Sequence, residues 1–153
     1  MKMPAIHATH AANVSQRIFA AVAALPLENG MRVLEIGCGS GVAAREIIRQ
    51  WPDVCVLGID RSAAAIRLAT AASQAQIRSG QISFLLSSIE DFSLRPNEPR
   101  FDLAFALRVG ALDGRHPKAG LVALPRIYAA LAPNGRLFID GGNPLRELSC
   151  AAI

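Results

Sequence analysis

Apolar residues recur along this chain at spacings that predict an alternation of helices and strands. Val14, Ile18, Val22 and Leu25 repeat at the helical period, which predicts an amphipathic helix over residues 9–25. Short apolar runs of strand length come after it, and glycine, proline and polar residues separate them. The predicted strands are residues 31–36, 54–59, 82–86, 101–107 and 136–140.

Helix-length segments connect most of these strands. Residues 42–51 are predicted to form a helix, and residues 62–79 a second one with Ser62 as its N-cap. A further helix over residues 121–131 contains Pro125, which predicts a kink or a late start. The predicted loops and turn are residues 87–100, 108–120 and 133–135.

Strands that alternate with helices indicate an α/β fold, in which a mainly parallel sheet is covered by helices on both faces. We expect one domain over residues 1–153. Within it, residues 1–30 form an N-terminal helix or lid, residues 31–141 the core and residues 142–153 a tail. Ligands of such sheets bind beyond the carboxyl ends of the strands. The loops after the first four strands are therefore where the chemistry is expected.

Composition narrows the classes of function. Hydrophobic residues make up 52% of the chain and charged residues 18%, which argues against disorder. No apolar run approaches the about 20 residues that a membrane span needs. The net charge of +4 comes from scattered basic residues, and aromatic residues are only 5%, so a nucleic-acid partner is disfavoured. The weakly basic surface suits an anionic small molecule or no particular partner.

The cysteines and acids give no metal-site pattern. Cys38, Cys55 and Cys150 lack the paired spacing of a disulfide framework or a zinc site. Asp140 with Asn143 resembles only half of a magnesium site, so we predict that no metal is bound. Unpaired cysteines fit a reducing compartment, and the expected location is the cytoplasm.

The strongest motif is VLEIGCGSG, which places glycines directly after a predicted strand. Gly37, Gly39 and Gly41 follow the spacing G-x-G-x-G, and the acid Glu35 lies shortly before them. Glycine permits a sharp turn and lets a ligand approach bare backbone, and the N–H groups at the start of the next helix can meet an anionic group. Dinucleotide folds use G-x-G-x-x-G instead, which argues against a nicotinamide-binding domain.

With this motif the sequence resembles the class I S-adenosylmethionine-dependent methyltransferases, whose first motif is an apolar strand with an acid and then glycines at this spacing. Later segments resemble the family's acid after strand two, its adenine-contacting segment, its F-D-x-x strand and its L-x-P-G-G-x-L turn. Those segments are residues 58–60, 88–92, 101–105 and 131–137. The resemblance covers residues 31–141. It implies a Rossmann-like three-layer sandwich with strand order 3-2-1-4-5, and S-adenosylmethionine as the cofactor.

The resemblance also implies which residues bind that cofactor. Asp60 would hold the ribose hydroxyls, Glu35 would offset the ammonium group, and backbone N–H groups around Gly39 and Gly41 would meet the carboxylate. Ser88 stands where the family often has an acid for the adenine amino group, and the N–H of the next residue can serve the adenine ring. The full expected set is Glu35, Gly37, Cys38, Gly39, Gly41, Asp60, Arg61, Ser88, Ile89 and Leu107.

Several of these residues also have a plainer structural interpretation. Asp60 is close to Ser62 and can cap the start of a helix. Glu35 can be a partly buried strand acid, and Cys38 a small residue in a tight turn. The sequence leaves both interpretations open.

The acceptor is expected to be a small molecule. Residues 106–109 lack the D/N-P-P-aromatic motif of nucleic-acid amine methyltransferases, and no Pro-Cys nucleophile for pyrimidine carbon methylation is present. In-line displacement of an activated methyl group needs mainly alignment. The candidate catalytic residues are His116 as a proton acceptor, Arg108 as a holder of a carboxylate or phosphate, and Asp113 with Arg115. A solvated loop is the alternative for each of them.

A second class of function stays open, namely an S-adenosylmethionine-binding module or subunit that lacks independent catalysis and is completed by a partner. His7 and His10 precede the first helix and are predicted to be lid residues rather than bases.

The family's sheet ends in a hairpin after strand five, but here only residues 141–153 follow that strand. We therefore predict a sheet without most or all of the hairpin, in which the fifth strand is an exposed edge. Either the tail or a second copy of the chain in a homodimer is expected to cover that edge.

Overall fold

The computed structural model describes residues 9–149, which form a six-stranded sheet with helices on both faces. The strands are β1 (Arg32–Ile36), β2 (Cys55–Asp60), β3 (Ile82–Leu86), β4 (Phe101–Ala106), β5 (Leu131–Asp140) and β6 (Leu145–Leu148). The helices are α1 (Thr9–Ala24), α2 (Val42–Gln50), α3 (Ala63–Ala72), α4 (Gln74–Arg78) and α5 (Pro117–Ala130). The strand order is β3-β2-β1-β4-β5-β6, and only the β5–β6 pair is antiparallel. The predicted α/β class and the order 3-2-1-4-5 are confirmed, with β6 as an extra strand.

Alternate residues of the central strands enter two hydrophobic cores, one on each face of the sheet. Val33 of β1 and Phe105 of β4 pack in the core that contains α1 and α2, whereas Leu34 and Ile36 belong to the core that contains α5. Successive side chains of a strand point to opposite faces, so a strand covered on both sides is apolar at nearly every position. Glu35 is a buried charged exception inside β1.

The single helix predicted over residues 62–79 is divided in two. Ser62 caps α3 as predicted, because its hydroxyl accepts the Ala65 N–H at 3.2 Å. The division falls at Ser73, which is fully buried between α3 and α4 and accepts a hydrogen bond from Arg45 at 3.0 Å. Periodicity within residues 62–79 carries no information about this partner from α2, so the break was missed.

Helix α5 begins at Pro117, and the late start predicted at Pro125 is wrong. Proline is well tolerated in the first turn of a helix because its missing N–H would have no helical partner there. Gly120, Ala123 and Ile127 of α5 are buried, so the packed stripe continues past Pro125. Tertiary packing of this face outweighs the local cost of one internal proline.

β5 begins before the predicted turn rather than after it. Leu131 lies opposite Phe101, but the next register pair joins Arg136 to Leu103, so residues 132–135 form a bulge on β5. The predicted turn is therefore an excursion within the strand.

The prediction that the fifth strand is an exposed edge is wrong, because β6 pairs with it in antiparallel register. Leu145 of β6 lies opposite Asp140, and the Arg136 guanidinium holds the Glu147 carboxylate across the pair at 2.8 Å. β6 is short and has two exposed charged residues, which hid it from pattern analysis. A homodimer stays a prediction, but it has lost the exposed β5 edge that suggested it.

Some sequence predictions lie outside the described residues or their side chains. These are the structures of residues 1–8 and 150–153, His7, Cys150 and the side chain of His10. Within residues 9–149, no helix is both long and apolar enough to cross a membrane.

Candidate functional site

The ends of four neighbouring strands meet at one edge of the sheet. Ile36 of β1 is paired with Ile59 of β2 and Ala106 of β4, and Ala106 is paired with Ile139 of β5. The next residue of each strand continues this row: Asp60, Gly37, Leu107 and Asp140. Neighbouring strands are about 4.8 Å apart, so the row extends over roughly 15 Å at the carboxyl edge.

A glycine turn after β1 forms the centre of this row. The N–H groups of Gly37 and Cys38 both donate to the Ile59 carbonyl, at 2.8 and 2.9 Å, which fixes the turn against β2. Gly37 has a φ of +71°, and a Cβ atom there would lie 2.8 Å from Cγ2 of Val109. Any side chain at this position would be strained and would collide with the loop after β4, so the turn requires glycine.

Asp60 joins the glycine turn to the start of α3. Its Oδ2 accepts the Gly39 N–H and its Oδ1 accepts the Ser62 N–H, both at 2.9 Å. Asp60 is not the N-cap of α3, because the Ser62 hydroxyl caps that helix and Asp60 holds the N–H of Ser62 itself. These bonds are compatible with ligand binding because each carboxylate oxygen has a second lone pair. The two backbone bonds fix the orientation of this carboxylate.

The N–H groups of Gly39 and Gly41 themselves make internal hydrogen bonds, so the expectation that backbone N–H groups around them meet a ligand carboxylate stays a prediction for their neighbours in the turn. The Gly39 N–H donates to Asp60, and the Gly41 N–H donates to the Cys38 carbonyl at 3.0 Å. A Cβ atom on Gly41 would lie 2.9 Å from the ring of Phe84. Gly41 is thus a packing residue beneath the turn.

Two cavities of about 570 Å³ each open at this edge of the sheet. Nine of the ten predicted cofactor residues line them, and Gly41 lines neither. The first cavity includes Asp60, Arg61, Ser88 and Ile89. The second includes Glu35, Cys38 and Gly39 and is bounded by α1. The residues common to both are Gly37, Leu107 and Arg108.

Glu35 is a buried carboxylate in the wall of the second cavity. Its exposed fraction is 5%, and its Oε2 makes no hydrogen bond with the described residues. Burial raises the pKa of Glu35 to about 8, opposed by the positive charge of Arg45 and reinforced by the negative charge of Asp60, while an Ala44 N–H bond lowers it. A buried acceptor without a partner is costly, so this oxygen is suited to a cationic or hydrogen-bond-donating ligand group.

Arg45 lies under the glycine turn and was not singled out by the sequence analysis. Its Nη1 donates to the Ser40 carbonyl at 2.8 Å and to the Ser73 hydroxyl at 3.0 Å. The guanidinium therefore ties the turn to the junction of α3 and α4, and its charge acts on Glu35.

Cys38 behaves as the small residue of a tight turn. It is buried, and burial raises the pKa of its thiol to about 12, with further contributions from the charges of Glu35 and Asp60. The reactive thiolate form is therefore absent at neutral pH.

On the side of β3, Ser88 and Ile89, which are predicted to bind the cofactor, line the first cavity. The Ser88 hydroxyl is occupied, because it donates to the Asp91 carboxylate at 2.9 Å and accepts the Asp91 N–H at 3.2 Å. Glu90 also lines this cavity and offers the carboxylate that Ser88 lacks. Its position after Ile89 in the adenine-like segment was the signal that could have found it.

Three of the four candidate residues in the loop after β4 line a cavity, and the fourth does not. Arg108 lines both cavities, and His116 and Arg115 line the first one. Asp113 lines neither cavity, because it is held by Arg115 at 2.8 Å, and hydrogen bonding from Arg115 keeps the Asp113 pKa below its usual range. Arg115 also donates to the Arg108 carbonyl at 2.8 Å, which fixes Arg108 in a backbone conformation with a φ of +58°.

Asp140 and Arg17 are cavity residues that the sequence analysis did not assign to the site. Asp140 ends β5 in the second cavity, and its Oδ1 is buried without a hydrogen bond to the described residues. The rule that ligands lie beyond strand ends could have found it. Arg17 comes from α1. Residues 9–149 contain no group of three or more His, Cys, Asp or Glu side chains arranged to hold a metal ion.

Curated proteins that resemble this chain include methyltransferases. The O-methyltransferase rstn1 of Aspergillus nomiae is 32% identical over 125 residues, covering 78% of this chain and 52% of its own. The trans-aconitate 2-methyltransferase of Methylobacterium nodulans is 30% identical over 128 residues, covering 84% of this chain and 45% of its own. The chain thus spans about half the length of the curated relatives it matches.

Solved structures share the fold. A methyltransferase from Geobacter sulfurreducens in complex with S-adenosylhomocysteine has a TM-score of 0.64 at 20% identity, covering 81% of this chain and 47% of its own. Phosphoethanolamine N-methyltransferase 2 of Haemonchus contortus, in complex with S-adenosylmethionine, has a TM-score of 0.66 at 25% identity. The match covers 81% of this chain and 27% of the Haemonchus chain. The family model described as "Methyltransferase domain" matches residues 27–152. The chain therefore belongs to the class I S-adenosylmethionine-dependent methyltransferases.

Proposed function

We propose that this protein transfers the methyl group of S-adenosylmethionine to a small-molecule acceptor. The observation that carries the proposal is the Glu35 carboxylate, which is buried beside the glycine turn with an unpartnered oxygen in a cavity. Few ligands justify a buried acid at such a position, and an amino-acid ammonium group is one of them. The sequence order of acid and glycines is the family's first motif.

The residues present fit this cofactor. Asp60, fixed by two backbone bonds, has lone pairs for the ribose hydroxyls, and Glu90 and the Ile89 segment border the same cavity for an adenine ring. Glu35 lies across the shared boundary, where the amino-acid end would be held. When bound, the cofactor supplies a methyl group that its sulfonium has already activated. The protein's task is then to align donor and acceptor and to exclude water.

The second cavity supports a small-molecule acceptor. Its volume of about 570 Å³ lies within the range of small-ligand sites. Arg17 and Arg108 in its wall can pair with an anionic part of the acceptor, and curated relatives are named for O-methylation and for trans-aconitate methylation.

A transfer assay tests the proposal. The protein is incubated with S-adenosylmethionine and single members of a metabolite panel that includes trans-aconitate, and formation of S-adenosylhomocysteine is measured. Acceptor-dependent product formation that Glu35→Gln reduces at least about tenfold is the expected result. Cofactor binding without turnover on any acceptor, even with physiological partners present, would instead favour a binding module completed by a partner.

A further inference from the structure

We propose that Asp140 is the acceptor-side carboxylate, which receives a hydrogen-bond-donating group of the methyl acceptor next to the transferable methyl group. The acceptor class that follows is a small molecule whose nucleophilic hydroxyl or amine still carries a proton. This inference rests on the proposed function and deepens it.

Strand register gives Asp140 the same orientation as Glu35. Glu35, Phe105 and Phe138 are paired across β1, β4 and β5, and Phe105 and Phe138 belong to the core on the α1 side. Side chains two residues apart on a strand point to the same face, so Asp140 follows Phe138 toward α1. Both acids accordingly line the cavity that α1 bounds.

Asp140 also lies at the acceptor end of the row of strand ends. The row runs from Asp60 through Gly37 and Leu107 to Asp140, so Asp60 and Asp140 stand at opposite ends. In the proposed binding mode, Asp60 holds the ribose of the cofactor, and Glu35 beside the glycine turn holds its amino-acid end. Beyond the turn, the space between Leu107 and Asp140 is left for the acceptor.

The unpartnered oxygen gives this position a chemical preference. Oδ1 of Asp140 is buried without a hydrogen bond to the described residues, and Pro144 and Leu145 beside it in the cavity wall are not charged. This oxygen gains a hydrogen bond when a hydroxyl or ammonium group of a ligand enters the cavity. A ligand carboxylate at the same place would be repelled by the negative charge of Asp140. Two independent orphan acceptors, on Glu35 and Asp140, therefore face one cavity.

The charged groups near Asp140 come from three other elements. Arg17 of α1 and Arg108 of the loop after β4 line the same cavity, and the charge of Arg115 also interacts with Asp140. Glu35 opposes them from β1. In the transfer, a lone pair of the acceptor oxygen or nitrogen would form the new bond to the methyl carbon. The bond between that carbon and sulfur would break at the same time, and the electron pair of the broken bond would stay on sulfur. The acceptor's proton passes to the Asp140 carboxylate and then to water.

Sinefungin tests this placement without an identified acceptor. In this analogue of the cofactor, a carbon that bears a protonated amine replaces the sulfonium and its methyl group. Binding of sinefungin and of S-adenosylhomocysteine is measured by calorimetry for the wild type and for Asp140→Asn. The matched control is Asp53→Asn, the same chemical change at an exposed position before β2, away from the cavities.

Asp140→Asn is expected to weaken sinefungin at least about tenfold and S-adenosylhomocysteine less than about twofold, with Asp53→Asn changing neither. Retained binding of S-adenosylhomocysteine shows that the variant is folded. An unchanged ratio of the two affinities in Asp140→Asn would overturn the inference and leave the proposed function intact. Absence of wild-type binding to both ligands would overturn the proposed function itself, and the inference with it.

Discussion

Glu35 shows how one residue can link the ligand to the stability of the protein. Its pKa is raised by burial from 4.5 to about 8, so the folded chain holds a proton that the unfolded chain has already released in this window. The slope of stability with pH is set by the difference in bound protons, so the unliganded protein loses stability as pH rises from about 4.5 to about 8. A bound ammonium group would remove this penalty by pairing with the ionised form.

A melting series measures this effect. Between about pH 5 and pH 8, the unfolding temperature of the unliganded wild type should fall more steeply than that of Glu35→Gln, which lacks the titrating group. Saturating S-adenosylhomocysteine should flatten the wild-type curve. Parallel curves for the two unliganded proteins would show that Glu35 does not titrate in this range.

Gly37 and Gly30 form a matched pair for the glycine turn. Both have positive φ, +71° and +83°, but a Cβ atom meets Val109 only at Gly37, whereas Gly30 has open space. Alanine at either position should cost about 1–2 kcal/mol from the left-handed backbone. Gly37→Ala should lose additional stability and also cofactor affinity, as measured by chemical denaturation and calorimetry. Equal losses in both variants, with binding retained, would contradict the role given to the turn.

Sequence reasoning at the residue scale identified cavity-lining residues near the carboxyl ends of β1 and β2 and in the segment after β3. Glu35, Asp60 and Ile89 stand in motifs whose spacing is visible in one dimension. Asp140 was set aside because no neighbouring residue along the chain completes a site with it. The cavity that Asp140 lines is formed by residues distant along the chain, which come together only when β5 pairs with β4.

At the scale of elements, α2 supports the site from below through Arg45. The guanidinium connects the glycine turn to Ser73 at the α3–α4 junction and places a positive charge near Glu35. Two charge-assisted hydrogen bonds of one side chain thus hold together segments that follow β1 and β2.

Replacement of Arg45 tests this support. Arg45→Met should reduce the free energy of unfolding by about 3 kcal/mol, because it removes two hydrogen bonds and those to charged groups contribute about 1.5–3 kcal/mol each. It should also weaken S-adenosylhomocysteine binding. The control is Arg49→Met on the same helix, whose partner Glu46 keeps a hydrogen bond from Gln50 at 2.6 Å. Denaturation and calorimetry in which both variants behave alike would contradict the account.

Helices and strands were predicted correctly where their own residues determine them, and were missed where contacts with other parts of the chain do. β1, β2 and β4 are apolar runs in the interior of the sheet, where burial on both faces favours such a pattern, so their positions were predictable from the sequence. β3 is an apolar run as well, although it lies at the sheet edge with Leu85 and Leu86 exposed. β6 is stabilised by pairing with β5 and by the Arg136–Glu147 contact, and both interactions need a partner on β5 that the pattern of β6 does not reveal. The division at Ser73 and the continuity of α5 past Pro125 likewise depend on contacts with other parts of the chain.

At the scale of the molecule, the sheet serves to bring distant residues to one edge. The two cavities are lined by the ends of four parallel strands, the segment after β3, the loop before α5 and the face of α1. A ligand that spans both cavities contacts most elements of the described fold, so binding and folding are coupled through mass action. Within this arrangement, we propose that Glu35 and the glycine turn hold the amino-acid end of the cofactor.

Calorimetric titration of the wild type and Glu35→Gln with S-adenosylhomocysteine, and of the wild type with NAD, tests that claim most directly. We expect saturable wild-type binding of S-adenosylhomocysteine, an affinity at least about tenfold lower in Glu35→Gln, and no binding of NAD. Equal affinities in the two proteins, or binding of NAD in place of S-adenosylhomocysteine, would contradict the claim.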